Sequence, residues 1–245
     1  MRASNLAFIA AILAAVATLV FPILFGSAPD LGAAPMAAGF KTPILALEFA
    51  RSADELTFLQ GDSAAGLRAF LVHTQSLDRF FPLAYAGMAA LFFLALGLRR
   101  PGRWLAWAAL AVAVVTIGAD WAENAVLNRL LAEISAGDAP RAGLLAALHG
   151  HTWIKWGLIG LYAALFSVLM WQDKRRLLAI PSIIAALAIG ATWLSGSNGQ
   201  VAEIMSTLLI PFMLTFPLAA VLYLRDKSAP SPTDASQHHE REETP

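Results

Sequence analysis

The chain has 245 residues, a formal net charge of zero and no cysteine, and it is 58% hydrophobic and only 14% charged. Soluble domains average roughly 45–50% apolar and about 25% charged residues, so this composition predicts a membrane protein. The neutral charge gives no reason to expect a nucleic-acid partner, and the lack of cysteine excludes disulfides, thiolate catalysis and cysteine-ligated zinc.

Six apolar stretches are long enough to cross a bilayer, which requires about 20 mostly apolar residues per helix. They are residues 6–25, 80–98, 104–124, 152–171, 178–194 and 201–224. No alternating barrel pattern is visible, so helices are expected. We predict an all-α fold, a polytopic transmembrane helix bundle in residues 1–227, followed by a disordered polar tail in residues 228–245.

Basic residues cluster in segments that six spans would place on one side of the membrane. These residues are Arg2, Arg99, Arg100, Arg103, Lys174, Arg175, Arg176, Arg225 and Lys227. The positive-inside rule then predicts a bacterial inner-membrane protein with both termini in the cytoplasm. Residues 1–28 also resemble a signal peptide, but the apolar run is long and Pro29 follows the small residues, so we expect an uncleaved first span.

The long first loop contains short helices that we expect on the periplasmic side. Thr42 and Pro43 form an N-cap and first-position pattern, and the apolar segment 44–50 that follows is too short to span. Glu48 and Arg51 are three residues apart and are expected to pair. This loop is predicted to cover the outer end of the bundle.

The most informative stretch ends the third span. Asp120, Glu123 and Asn124 share one helix face, and at about 1.5 Å per residue Asp120 lies some 25 Å from Arg103, in the outer third of a bilayer. Acidic residues at such depths are costly and mark functional sites by default. The alternative is that residues 121–129 already lie among the head groups and the acids are hydrated.

Two further charged residues are predicted at the same outer depth. Asp78 precedes the second span, and Lys155 lies one turn inside the fourth, where it either compensates Asp120 or Glu123 or extends outward to the interface beside Trp156 in an aromatic belt. His149 and His151 lack metal-ligand spacing and are interpreted as loop residues. We therefore predict no metal and no cofactor.

No catalytic signature such as a nucleophile elbow, a Walker loop or a Rossmann fingerprint is present. The candidate site consists of Asp120 and Glu123 as catalytic residues, with Glu48, Arg51, Asp78, Asn124 and Lys155 as substrate-binding residues. Paired carboxylates with a lysine suit acid–base work, a proton relay or the binding of a polar head group.

The order Pro43–Arg51 (PILALEFAR), Asp78 before a span, Asp120–Asn124 (DWAEN) and Lys155–Trp156 resembles a pattern in uncharacterised bacterial multi-pass membrane proteins. The resemblance extends from Thr42 to about Trp171. It implies a multi-pass membrane protein and no activity, because none is assigned to that group.

Three functions remain open at this stage. The first is an enzyme or binding protein for a lipid-like or isoprenoid amphiphile, which would enter sideways from the membrane. The second is a small proton-coupled transporter, although no inverted repeat is visible. The third is a structural protein whose charges only pair helices. Membrane lipids are the expected partners, and neither the enzyme question nor the oligomeric state is decided by the sequence.

Overall fold

The computed structural model describes residues 2–28 and 35–226. Within these ranges the chain is helical and contains no strand, which confirms the predicted all-α fold. The predicted tail, 228–245, and part of the connector after the first span lie outside the described residues.

Six of the helical segments are long and apolar enough to cross a membrane. The described α-helices are α1 (Ala3–Phe25), α2 (Pro43–Glu48), α3 (Ala65–Asp78), α4 (Phe81–Arg99), α5 (Trp104–Ala136), α6 (Ala142–Gln172), α7 (Arg176–Leu194) and α8 (Gly199–Arg225). Two short 3-10 helices, Ala53–Leu59 and Asp62–Ala64, connect α2 to α3.

The six long helices form a closed ring in chain order. Each of α4 to α8 packs on its predecessor in the series α1, α4, α5, α6, α7, α8, and α1 also packs on α8. The centre is filled by packed aromatic rings, including Phe92, Phe166, Phe212 and Phe216. Large apolar side chains such as Leu13, Leu187 and Ile210 are instead exposed on the outside of the ring, as expected for a bundle surrounded by lipid.

Helices α5 and α6 extend well beyond the predicted spans. At about 1.5 Å per residue, the 33 residues of α5 measure roughly 50 Å, whereas a bilayer core is about 30 Å thick. Residues 130–151 therefore form two helix ends joined by a short turn after Ala136. The interpretation of His149 and His151 as loop residues is wrong, because both lie within α6.

The reason for the extension is a second apolar core outside the ring. Its members come from the first loop and from the extended ends of α5 and α6: Ala46, Leu47, Ala50, Leu56, Phe58, Leu59, Leu67, Leu71, Val126, Leu127, Leu130, Leu131, Ile134, Leu145 and Leu148. The extensions can bury their apolar faces only as helices packed against this loop. The second core thereby fixes α2 over one end of the ring.

A polar cluster ties the helices together at the opposite end of the ring. Asp173, in the turn after α6, accepts hydrogen bonds from Arg100 and Arg103, each at 2.7 Å, and from the Tyr223 hydroxyl. Burial alone would raise the pKa of Asp173, but the hydrogen bonds from Arg103 and Tyr223 and the charges of Arg103 and Arg100 lower it below its usual 3.8.

We expect Asp173→Asn to lower the melting temperature of the detergent-solubilised protein by several degrees at pH 7. A carboxyl whose pKa is lowered by folding stabilises the protein fully above about 3.8 and loses that effect as the pH falls through its lower folded pKa. The difference from the wild type should therefore shrink below pH 3.8. An unchanged difference at pH 3 would assign the effect to packing rather than charge.

Candidate functional site

A buried lysine between two carboxylates forms the centre of the candidate site. The Lys155 ammonium on α6 lies 3.2 Å from Oε2 of Glu48, the last residue of α2, and in closer contact with Oε2 of Glu123 on α5. All three side chains are buried, and Glu123 is fully enclosed. Both contacts are ion pairs between opposite charges. Charges at this depth persist only when they are paired.

The local helix geometry explains how these groups meet. Lys155 and Glu123 lie on the facing surfaces of α5 and α6, which pack along their length. Thr152, three residues before Lys155, donates a hydrogen bond of 3.1 Å to the Glu48 carbonyl and so holds the end of α2 against α6. Glu48 is thereby delivered to Lys155 from a segment that lies outside the long helices.

Asp120 forms a second hydrogen-bonded group one turn from Glu123. The Tyr85 hydroxyl of α4 donates to Asp120 Oδ2 at 2.7 Å, and the Asn124 amide donates to Oδ1 at 3.0 Å. Both oxygens of this buried carboxylate therefore have a donor, which fixes its orientation.

The start of α2 is held by a carboxylate on α8. Glu203 accepts hydrogen bonds from the Lys41 and Thr42 backbone amides, at 2.8 and 2.7 Å, and from the Thr42 hydroxyl at 2.9 Å. The segment before α2 and the start of α8 approach so closely that a Cβ on Gly199 would lie 2.6 Å from the Phe40 amide nitrogen. Helix α2 is thus fixed at one end by α8 and at the other by α6.

A cavity of about 310 Å³ opens beside these groups. Four of its lining residues are ionisable side chains of the candidate site: Glu48, Asp78, Asp120 and Lys155. The remaining wall is mainly apolar, and it includes Leu19 of α1 and Ile210 of α8, which are 53% and 59% exposed on the outer surface of the ring. The cavity therefore leads from the outer apolar surface, between α1 and α8, to the buried charges.

Burial and Lys155 act in opposite directions on the pKa of Glu48, and burial has the larger effect. Burial raises the pKa of the Glu48 carboxyl above its usual value, and the nearby Lys155 ammonium lowers it. The carboxylates of Asp78 and Asp120 add to the upward shift. A carboxyl in this position would take up a proton readily if the lysine were removed.

The structure brings together most of the predicted residues. One cavity is lined by Glu48, Asp78, Asp120 and Lys155. Asn124 does not line it but donates a hydrogen bond that orients Asp120. The predicted pairing of Lys155 with Glu123 is present. Glu123 itself does not line the cavity, so it reaches a ligand only through Lys155.

Arg51 lies apart from the site. Its guanidinium donates to the Gly196 carbonyl at 2.9 Å and pairs with Glu55, and its side chain is largely exposed. The expected Glu48–Arg51 pair does not form, because α2 ends at Glu48 and the helical spacing of the two residues is lost.

Two alternatives raised by the sequence are excluded by burial. Asp120 and Glu123 are not hydrated among head groups, since they are only 5% and 0% exposed. Lys155 does not extend to the interface, and Trp156 is buried instead of lying in an exposed belt. Among the residues that the structure describes, no group of three potential ligands suits a metal ion.

Four contributors to the site were not recognised from the sequence: Tyr85, Thr152, Trp156 and Glu203. Tyr85 lies inside an apolar span with no charged residue near it in sequence, and Glu203 is the single charged residue of the last span. A signal was available for Glu203, because a lone acid at the start of an apolar helix needs a donor, but its partners are 161 and 162 residues away.

Comparison with known protein families, with curated proteins and with solved structures found no match to this chain. The arrangement is therefore interpreted from its own geometry.

Replacing Lys155 with methionine should lower the free energy of unfolding by about 3–5 kcal/mol, because two buried carboxylates lose their counter-charge. Thermal unfolding in detergent measures the loss. The triple variant Glu48→Gln, Glu123→Gln, Lys155→Met should recover most of it, since no buried charge remains. A Lys155→Met protein as stable as the wild type would contradict the ion pairing.

Glu203→Gln should loosen α2 without unfolding the ring. The amide oxygen can replace one carboxylate acceptor, but the charge-assisted bonds to Lys41 and Thr42 weaken. Hydrogen–deuterium exchange should speed up by at least about tenfold in residues 41–48, corresponding to roughly 1.4 kcal/mol. The buried centre of α4 serves as the internal control, and equal exchange in both proteins at residues 41–48 would rule out this anchoring role.

Proposed function

We propose that this chain is a multi-pass protein of the bacterial inner membrane that binds a lipid-like or isoprenoid amphiphile. The head group would lie against Glu48, Asp78, Asp120 and Lys155, and the apolar chain would leave between α1 and α8. The observation that carries this proposal is the continuous path from the outer apolar surface to a buried polar cluster.

The cavity has the composition of a site for an amphiphile. Ligand sites are mostly apolar, with a small number of well-placed polar groups, and occupy about 300–1,000 Å³. At about 310 Å³ this cavity would accommodate a head group and the first part of a chain. The rest of the chain would remain in the lipid, so the volume need not match the whole ligand.

The positions of the basic residues support the proposed orientation. Arg99, Arg100, Arg103 and Arg175 lie at the ring end opposite α2, together with the start of α1 and the end of α8. The positive-inside rule places such an end in the cytoplasm. The candidate site then lies near the outer leaflet, below a periplasmic cover formed by α2 and the two 3-10 helices.

Asp120 is the group best placed to exchange a proton with a bound head group. It lines the cavity, and Tyr85 and Asn124 hold its carboxylate in one orientation. Acid–base catalysis requires such a positioned group within hydrogen-bond distance of the reacting atom. Any reaction would therefore use Asp120, with Glu123 acting only through Lys155.

A purely structural role accounts less well for this arrangement. Charges that only pair helices need partners within the protein, as Lys155 finds in Glu48 and Glu123. Asp78 and Asp120 instead line open space.

Mass spectrometry of small molecules that co-purify with the protein tests the proposal. We expect one amphiphile in the wild type and its depletion in Asp120→Asn, which keeps the side-chain size but removes the charge. Ile210→Trp should deplete it as well by filling the entrance. Leu187→Trp is the matched control, because Leu187 is likewise exposed, on α7, but does not line the cavity.

Folding of each variant is checked by its melting temperature before ligands are compared. Retention of the amphiphile in Ile210→Trp would contradict entry between α1 and α8. If no species co-purifies with any protein, and a broad lipid panel leaves the melting temperature unchanged, amphiphile binding is refuted.

A further inference from the structure

We propose that the head group bound in this cavity carries a protonated amine. This inference rests on the function proposed above, and it names the chemical class of the ligand. The reason is that some charged groups of the cavity have a partner of opposite charge within the protein and others do not.

The single lysine of the cavity is already engaged. Lys155 lies between Glu48 and Glu123, and both carboxylates contact its ammonium. Because one positive charge faces two negative ones, this trio carries no surplus of positive charge. It therefore offers little attraction to an anionic head group such as a phosphate or a fatty-acid carboxylate.

Two further carboxylates face the cavity without a cation. Within the described residues, no lysine or arginine lies within ion-pair distance of Asp78 or Asp120. Asp120 interacts with the Lys155 charge electrostatically but without contact. Asp78 interacts in the same way with Asp120 and with Lys155. Carboxylates in an apolar, enclosed setting require a cation or a proton. A ligand cation would meet this requirement where the two side chains border the same space.

The cavity also contains a buried polar atom that lacks a partner. Trp156 is 92% buried and lines the cavity, yet its indole N–H has no acceptor among the described residues. An oxygen next to the amine, as in an amino alcohol, would accept from Trp156.

Neighbouring hydroxyls and rings suit the same class of ligand. The Thr18 and Ser206 hydroxyls donate to backbone carbonyls of their own helices, so their oxygens remain available as acceptors. The rings of Phe81 and Tyr85 form part of the wall, and ring faces attract alkylammonium groups. The hydroxyl oxygens and aromatic rings of the wall can thus all interact with a cation, and the indole N–H is the exception.

Three probes with the same chain length separate the possible head groups: dodecylamine, dodecanol and dodecanoate. Each is titrated into the full-length protein in an uncharged maltoside at pH 7, and binding is measured by native mass spectrometry. We expect the amine to bind at least tenfold more tightly than the alcohol and dodecanoate to bind most weakly.

Charge-neutralising variants locate the effect. Asp78→Asn and Asp120→Asn should each reduce the preference for the amine over the alcohol by at least threefold. Asp138→Asn, the same change at an exposed position away from the cavity, should leave it unchanged. Asp78 is only partly buried, so we expect Asp78→Asn to fold. It therefore still tests the proposal if Asp120→Asn fails to fold.

The outcomes distinguish the two proposals. Equal binding of the alcohol would mean that protons neutralise the carboxylates, and tighter binding of dodecanoate would assign the head group to Lys155. Either result overturns the amine and leaves amphiphile binding in place. Binding of none of the three probes, with no co-purifying amphiphile, would refute both.

Discussion

The ammonium of Lys155 between the carboxylates of Glu48 and Glu123 is the interaction on which the site depends. It joins the consecutive helices α5 and α6 to the short helix α2, which is distant from both in sequence. Buried ion pairs seldom add net stability over apolar packing, because each charge loses its hydration. Their contribution is positional, since a misplaced partner leaves a buried charge unpaired. Here the pairing specifies where α2 ends and so where Glu48 enters the cavity wall.

The rest of the architecture supports that placement from two directions. The second apolar core holds the first loop against the extended ends of α5 and α6, and Glu203 holds the start of α2 against α8. Because α1 closes the ring on α8, residues of the first and last helices both line the cavity. The polar groups at this end of the ring therefore hold α2 in place beside the cavity.

The sequence was sufficient for the ring helices because their signal is local. Twenty apolar residues predict a span whatever surrounds them, and Asp120, Glu123 and Asn124 reveal their common face through spacing alone. Contacts between distant segments left no such signal. Arg51 was grouped with Glu48 by proximity in sequence, whereas Thr152 and Glu203 act on α2 from more than 100 residues away. The helical extensions of α5 and α6 were missed for the same reason, since their apolar faces have a partner only in the folded loop.

The division of the carboxylates into two kinds gives the site its chemical character. Glu48 and Glu123 share the ammonium of Lys155, whereas Asp120 is held by the neutral donors Tyr85 and Asn124, and Asp78 has no cationic partner in the described ranges. Neutral donors orient a carboxylate but do not cancel its charge. Ionised Asp78 and Asp120 would therefore make that side of the cavity more negative than the side beside Lys155. Charges interact more strongly in a mostly apolar setting than in bulk water. An amphiphile that enters from the lipid would thus be selected by the charge of its head group more than by the shape of its chain.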